Sequence, residues 1–265
     1  MPGPYGVEIY YEVRGDPSGP PLLLLHGGIG SGEDWAKQVP ALLDAGYRVI
    51  LMDSRSHGRS PWSGEPITYE LMASDVVGLL DHLGIEQTNL VGASDGAIIG
   101  LYLAIHNPER LTKLVAYGAN FNPEGAIDPT PSPELDAIFS YLIENYQRLS
   151  PTPEHFDDLL GELLALYEVA PNFSEDELKS ITVPVLILDG AEEEFVAHDQ
   201  PIRMAELIPG SELVIMPGTG HLAPFEQPDE FTRIMLEFLA SERGVRDASR
   251  IKNPVGVTHP ASILS

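Results

Sequence analysis

Apolar positions in this chain fall into short continuous runs separated by stretches of helical period. Pro21 to Leu25 (PLLLL) is apolar without alternation, as expected of a strand covered on both faces, and Tyr47 to Met52 (YRVILM) reads as the next buried strand. Leu90 and Val91, Leu111 to Tyr117 (LTKLVAY), Val183 to Asp189 (VPVLILD) and Ser211 to Met216 (SELVIM) continue the series. An alternating, aromatic run, Val7 to Val13 (VEIYYEV), precedes them and is closed by the turn residues Arg14 to Pro20. Between the runs the spacing predicts helices over Trp35–Ala45, from a Thr68 cap to Leu83, from Ala97 through Ala104, over Asp199–Ile208 and over Pro228–Leu239. Gly46 and Gly84 are placed as C-terminal stops, and Met72, Val76, Leu79, Leu80 and Leu83 form one core face. Strand and helix in alternation imply an α/β fold with a mostly parallel sheet and crossover helices.

The alternation stops between Pro123 and Ser180. Two amphipathic patterns lie there among several prolines: Leu135, Ile138, Phe139, Leu142, Tyr146 and Leu149, then Phe156, Leu159, Leu160, Leu163 and Tyr167. A helical lid inserted into a core of residues 1–122 and 181–243 is the expected organisation, with a plain helical elaboration as the alternative. Residues 244–265 lack a sustained hydrophobic period and are expected to form a loosely attached or disordered tail.

Composition narrows the partners. Of 265 residues, 40 are acidic and 15 basic, a net charge of −25 that opposes binding to nucleic acid or to anionic membranes. The acidity fits a solvated surface, and a salt-adapted source is the sharper reading. With no cysteine, disulfides, thiolate metal sites and cysteine nucleophiles drop out together. No basic region followed by an apolar run opens the sequence and no apolar run approaches the ~20 residues of a bilayer span, so a cytoplasmic protein is expected. The oligomeric state is open.

The chemistry concentrates at Gly92-Ala93-Ser94-Asp95-Gly96, a G-x-S-x-G with strand before it and helix after it. A turn that lifts a serine clear of the backbone leaves almost no room for flanking side chains, hence Gly92, Ala93 and Gly96. The N–H of Asp95 then lies at a helix start, where a developing oxyanion would be stabilised. A second glycine-rich loop, His26 to Gly32, follows the first buried strand. Its spacing fails as a dinucleotide fingerprint because Glu33 stands where the third glycine belongs. Gly28 is instead a candidate second oxyanion donor. His26 reads as structural, and His57 as structural or at the rim of the site. After Ser94 the chain offers acids on the loop following LILD and His221 on the loop following LVIM, giving the order serine, acid, histidine at strand C-terminal ends.

In HGGIGSGEDW, DSRSHGRS, LVGASDGAIIGLYLAIHNPERL, VPVLILDGAEEEFV and MPGTGHLAPFEQPDEF the chain resembles the α/β-hydrolase superfamily from about Val7 to Ala240. The resemblance implies an α/β-hydrolase fold with helices on both sheet faces, Ser94 as nucleophile, His221 as general base and acid, Gly28 and Asp95 as oxyanion-hole donors, and no cofactor or metal. It places the triad acid on Glu193, where an aspartate is usual, with Glu192, Glu194 and Asp189 as competitors. Asp95 also departs, since a carboxylate facing the oxyanion would oppose it, so its side chain is expected to turn away to a donor. Ser56 stands where glycine is usual. The implied function is a serine hydrolase that cleaves a small-molecule carboxylic ester or lactone through an acyl-enzyme. Carbon–carbon bond hydrolysis or cofactor-free perhydrolysis on the same scaffold, and a weakly catalytic ligand receptor, are the alternatives.

Overall fold

The computed structural model describes residues 1, 3 and 6–241; the expected tail at 244–265 lies outside them. A seven-stranded sheet runs through the described residues in the order β1-β3-β2-β4-β5-β6-β7. These strands are β1 (Tyr11–Arg14), β2 (Pro21–Leu25), β3 (Arg48–Met52), β4 (Thr88–Ala93), β5 (Leu111–Tyr117), β6 (Val185–Gly190) and β7 (Glu212–Met216). β1 pairs antiparallel to β3 and every other neighbour is parallel, so the C-terminal ends of β2 to β7 share one edge.

The continuous apolar runs follow from burial on two sides. Leu23 and Leu25 pack into one core with Met72, Val76 and Leu79 of α2 (Tyr69–His82) and with α3 (Asp95–His106), whereas Leu22 and Leu24 face a second core. That second core holds Val39 and Leu42 of α1 (Val39–Asp44) and Phe231, Met235 and Phe238 of α9 (Pro228–Ala240). Alternate side chains of one strand therefore enter different cores. The Lys113 ammonium, from β5, crosses to the carbonyls of Phe238 and Leu239 at 2.9 and 3.0 Å, capping the end of α9.

The expected helix at 35–45 is broken into a 3-10 turn, Gly32–Trp35, and α1, because Pro40 fits a first helical turn and not a helix interior. Of the expected strand at 7–13 only residues 11–13 enter the sheet, in a strand that runs one residue further into the expected turn, to Arg14; the Tyr10 N–H donates instead to Ser60 Oγ at 2.9 Å.

The segment between β5 and β6 folds as α4 (Pro133–Leu149), α5 (Phe156–Tyr167) and α6 (Glu175–Ser180). Ser132 caps α4, and Ser174 with Glu177 forms a capping box on α6, a helix that apolar spacing alone does not reveal. Phe121, Leu159, Leu163 and Leu166 join the first core, so the insertion is anchored in the body. α7 (Asp199–Leu207) and the short α8 (Ala223–Glu226) complete the elements, and no described helix is long and apolar enough to cross a membrane.

Candidate active site

Ser94 sits between β4 and α3 with φ 52°, a left-handed conformation that a serine adopts only where its surroundings enforce it. Its N–H donates to Tyr117 O at 2.8 Å, tying the turn to the end of β5. A Cβ on Gly92 would strike the backbone of Gly96 and Ala97, and one on Gly96 would strike Leu25. The elbow is therefore closed to larger residues on both sides. As the first residue of α3, Asp95 has no carbonyl one turn earlier for its N–H, which leaves that donor free for a ligand.

The glycine-rich loop after β2 runs alongside. A Cβ on Gly27 would lie 3.1 Å from Ser94 Cβ, and one on Gly28 would collide with the Tyr167 hydroxyl. Ile29 is also left-handed, at φ 64°, so the loop carries backbone strain beside Gly28. His26 braces it: Nδ1 contacts Gly27 O at 2.7 Å and Nε2 accepts the Ser54 N–H at 3.0 Å. His57 makes a similar local contact to Arg55 O at 2.8 Å. Burial pushes His26 down to about 4 and His57 to about 3, so both are neutral supports near pH 7.

On the other side, the loops after β6 and β7 bring Glu193 and His221 together, with His221 Nδ1 2.7 Å from Glu193 Oε1. The same oxygen accepts the N–H groups of Phe195 at 2.8 Å and Val196 at 3.2 Å, and the Glu193 side chain is 0% exposed. Burial alone would raise its pKa, but the His221 charge and these donors hold it below the usual carboxylate value. Burial likewise opposes charge on His221, yet Glu193, then Glu194 and Asp95, outweigh it and raise the imidazole above its ordinary value. With Nδ1 committed to Glu193, Nε2 remains as the ring's basic face. Gly118, left-handed at φ 60°, backs this pair, for a Cβ there would come 3.0 Å from His221 Cε1.

Among the four acids that the sequence left in competition, the geometry distributes different tasks. Glu193 takes the imidazole, Glu194 Oε2 accepts the His221 backbone N–H at 2.8 Å, and Asp189, buried at the end of β6, accepts the Gly190 N–H at 2.8 Å. Glu192 stands on the exposed side of the turn, its N–H on Thr219 O at 2.9 Å.

The Asp95 carboxylate turns into the protein, accepting the hydroxyls of Tyr69 at 2.8 Å and Tyr167 at 2.9 Å. Burial raises its pKa and the two phenols partly offset that. Neither tyrosine's contact was visible in the sequence. Tyr167, on α5, read as one position of a helical face, whereas the structure sets its hydroxyl above Gly28 and beside the elbow. Phe195 packs 4.9 Å from the His221 ring. The insertion is fastened to the body by the ion pair of Arg148 with Glu33, which Arg59 also holds, by the Trp62 N–H on Thr152 Oγ1 at 2.8 Å, and by Trp62 stacked on His155.

The family model described as "alpha/beta hydrolase fold" matches residues 20–153. The chain belongs to the α/β-hydrolase family. Among relatives of this α/β-hydrolase, a putative carbamate hydrolase of Caulobacter sp. (strain K31) is 33% identical over 88% of this chain and 96% of its own. A 2-hydroxy-6-oxononadienedioate/2-hydroxy-6-oxononatrienedioate hydrolase of Pseudomonas putida is 29% identical over 89% of this chain and 93% of its own. An esterase from Thermogutta terrifontis superposes with a TM-score of 0.68 at 28% identity, covering 89% of this chain and 95% of that one. Hydrolytic chemistry on small molecules is common to these α/β-hydrolases; their substrates differ.

Proposed function

We propose that this protein is a serine hydrolase that cleaves a carboxylic ester or lactone through an acyl-enzyme. The observation that carries the reading is the Glu193–His221 hydrogen bond of 2.7 Å on the same sheet edge as the strained Ser94 turn. In this reading Ser94 Oγ attacks the carbonyl carbon as His221 Nε2 takes its proton, and Glu193 stabilises the imidazolium. The N–H groups of Gly28 and Asp95 receive the negative charge on the carbonyl oxygen. Collapse expels the alcohol, protonated by His221, and water activated by the same imidazole then releases the acid. The insertion acts as a lid that excludes bulk water and shapes the acyl pocket.

Carbon–carbon bond hydrolysis is the second reading, favoured by the Pseudomonas relative, whose name specifies a dicarboxylate. Charge argues against that substrate class here. The arginines at this edge are already paired, Arg55 with Asp75, Arg59 with Glu33 and Asp53, and Arg148 with Glu33, while Asp95, Glu193 and Glu194 surround the reacting groups. A dianionic substrate would meet carboxylates with no free arginine among the described residues at this edge to receive it. A neutral ester or lactone avoids that cost.

The test is a chain-length series of aryl esters beside a lactone series and a vinylogous diketone acid, with Ser94→Ala as the blank. Turnover of esters or lactones, at least ~1,000-fold lower in the variant, is the expected result. Full activity in Ser94→Ala, or turnover of the diketone acid alone, would overturn the reading. Failure of folded protein to label with a fluorophosphonate would favour a binding protein instead.

A further inference from the structure

Glu193 uses one oxygen heavily and the other not at all. Oε1 faces His221 and two backbone N–H groups, whereas Oε2 is buried without an N–H or hydroxyl donor. A buried carboxylate oxygen with no donor forfeits roughly 1–3 kcal/mol. The ionisable group that interacts with Glu193 from the sheet is the carboxyl of Asp189, only 1% exposed at the end of β6. Two carboxyls that interact away from water cannot both ionise cheaply, so one of them holds a proton. Glu193 has a cation partner and two amide donors, while Asp189 has a single amide, Gly190 N at 2.8 Å. The proton therefore belongs to Asp189.

We propose that Asp189 is a positioning residue: its neutral carboxyl donates to Glu193 Oε2, fixing the longer glutamate side chain so that Oε1 meets His221 Nδ1. The extra methylene of Glu193 creates the need, because it gives the acid a further rotatable bond, and Asp189 removes that freedom. The surrounding ionisable groups fit this arrangement. The Tyr117 hydroxyl is spent on Gly220 O, Glu226 accepts the Gly220 N–H, Glu194 accepts the His221 N–H, and Asp95 is fenced by its tyrosines. Glu192 lies on the exposed side of the turn. Burial, and then the Glu193 charge, push the Asp189 carboxyl far above its usual range, in keeping with the geometry.

The inference rests on the proposed triad, and the experiment separates the two. kcat/KM for a neutral aryl ester is measured against pH in the wild type, Asp189→Asn, Asp189→Ala and Glu193→Gln, with thermal melting as the folding control. Asparagine is isosteric, accepts from Gly190 and donates to Oε2, so it should retain activity within ~3-fold and leave the pH midpoint in place. Alanine should lose on the order of 10–100-fold, the usual cost of deleting the partner that orients a functional side chain. A downward shift of the midpoint in Asp189→Asn, which would reveal a lost negative charge, overturns the proposal, as does a loss beyond ~10-fold there or wild-type activity in a folded Asp189→Ala. If the alanine variant does not fold, the asparagine profile alone decides. Retained activity in Glu193→Gln would instead mean that the triad reading had failed.

Discussion

Two buried carboxylates flank the Ser94 turn, and their surroundings make them opposites. Glu193 lies against an imidazole and two amide N–H groups, which together stabilise its negative charge. Asp95 lies against two phenols, which satisfy its oxygens without supplying a countercharge. Both groups suffer from burial, but only at Glu193 is the penalty outweighed. The same functional group is therefore set up to back an imidazole in one pocket and to join two phenols in the other. Environment, not residue type, decides which carboxylate keeps its charge readily.

Replacing each acid by its amide probes the contrast most directly. Glu193→Gln should lower kcat by on the order of 10³–10⁴ without unfolding the protein, because the imidazolium loses its stabilising charge; steady-state kinetics with a melting curve checks this. Asp95→Asn should stay within ~10-fold of wild type and melt at the same temperature or higher. An asparagine there can accept from one phenol and donate to the other, and it removes a buried charge that has no cation. Equal losses in the two variants would erase the distinction. The next effect is in pH dependence. His221 must be neutral to act as base, and its raised pKa keeps it protonated to higher pH, so kcat/KM should climb with pH to a midpoint above the ordinary histidine value of 6.5. A midpoint at or below that value would contradict the pairing with Glu193. The smallest effects belong to the phenols. Tyr69→Phe and Tyr167→Phe should each cost about 1–3 kcal/mol by leaving one carboxylate oxygen short of a donor, measured by denaturant unfolding. Of the two, only Tyr167→Phe should also change KM, since its hydroxyl sits over Gly28 on the inserted helix.

The sheet was legible because both its faces are covered, which turns strands into unbroken apolar runs with little ambiguity. The boundaries of β5 agree to the residue, Leu111 to Tyr117. The helix at 35–45 misled because Trp35, Val39 and Leu42 keep a helical spacing that Pro40 interrupts. Motif order placed Ser94, Glu193 and His221 on one edge, a consequence of parallel topology that survives large sequence change. Local pattern alone does not rank Glu193 above Glu192, Glu194 and Asp189; only its position in the family resemblance singles it out. Four acids within six positions look alike as letters, and a turn's backbone alone decides which one faces inward. The Tyr69 and Tyr167 contacts to Asp95 were invisible for a similar reason. They join elements 26 and 72 residues away, and no local pattern encodes such a meeting.

The ionic clasp at Glu33 has a consequence for how the enzyme answers its medium. Arg148 reaches that carboxylate from α4 while Arg59 holds it from the body, and all three side chains are partly solvated. Such contacts weaken as the Debye length contracts, from about 10 Å at 0.1 M salt to about 3 Å at 1 M. Brine should thus loosen α4 from the body without disturbing the histidine–glutamate contact; under the proposed lid role, electrolyte would tune substrate entry while the chemistry beneath stays the same.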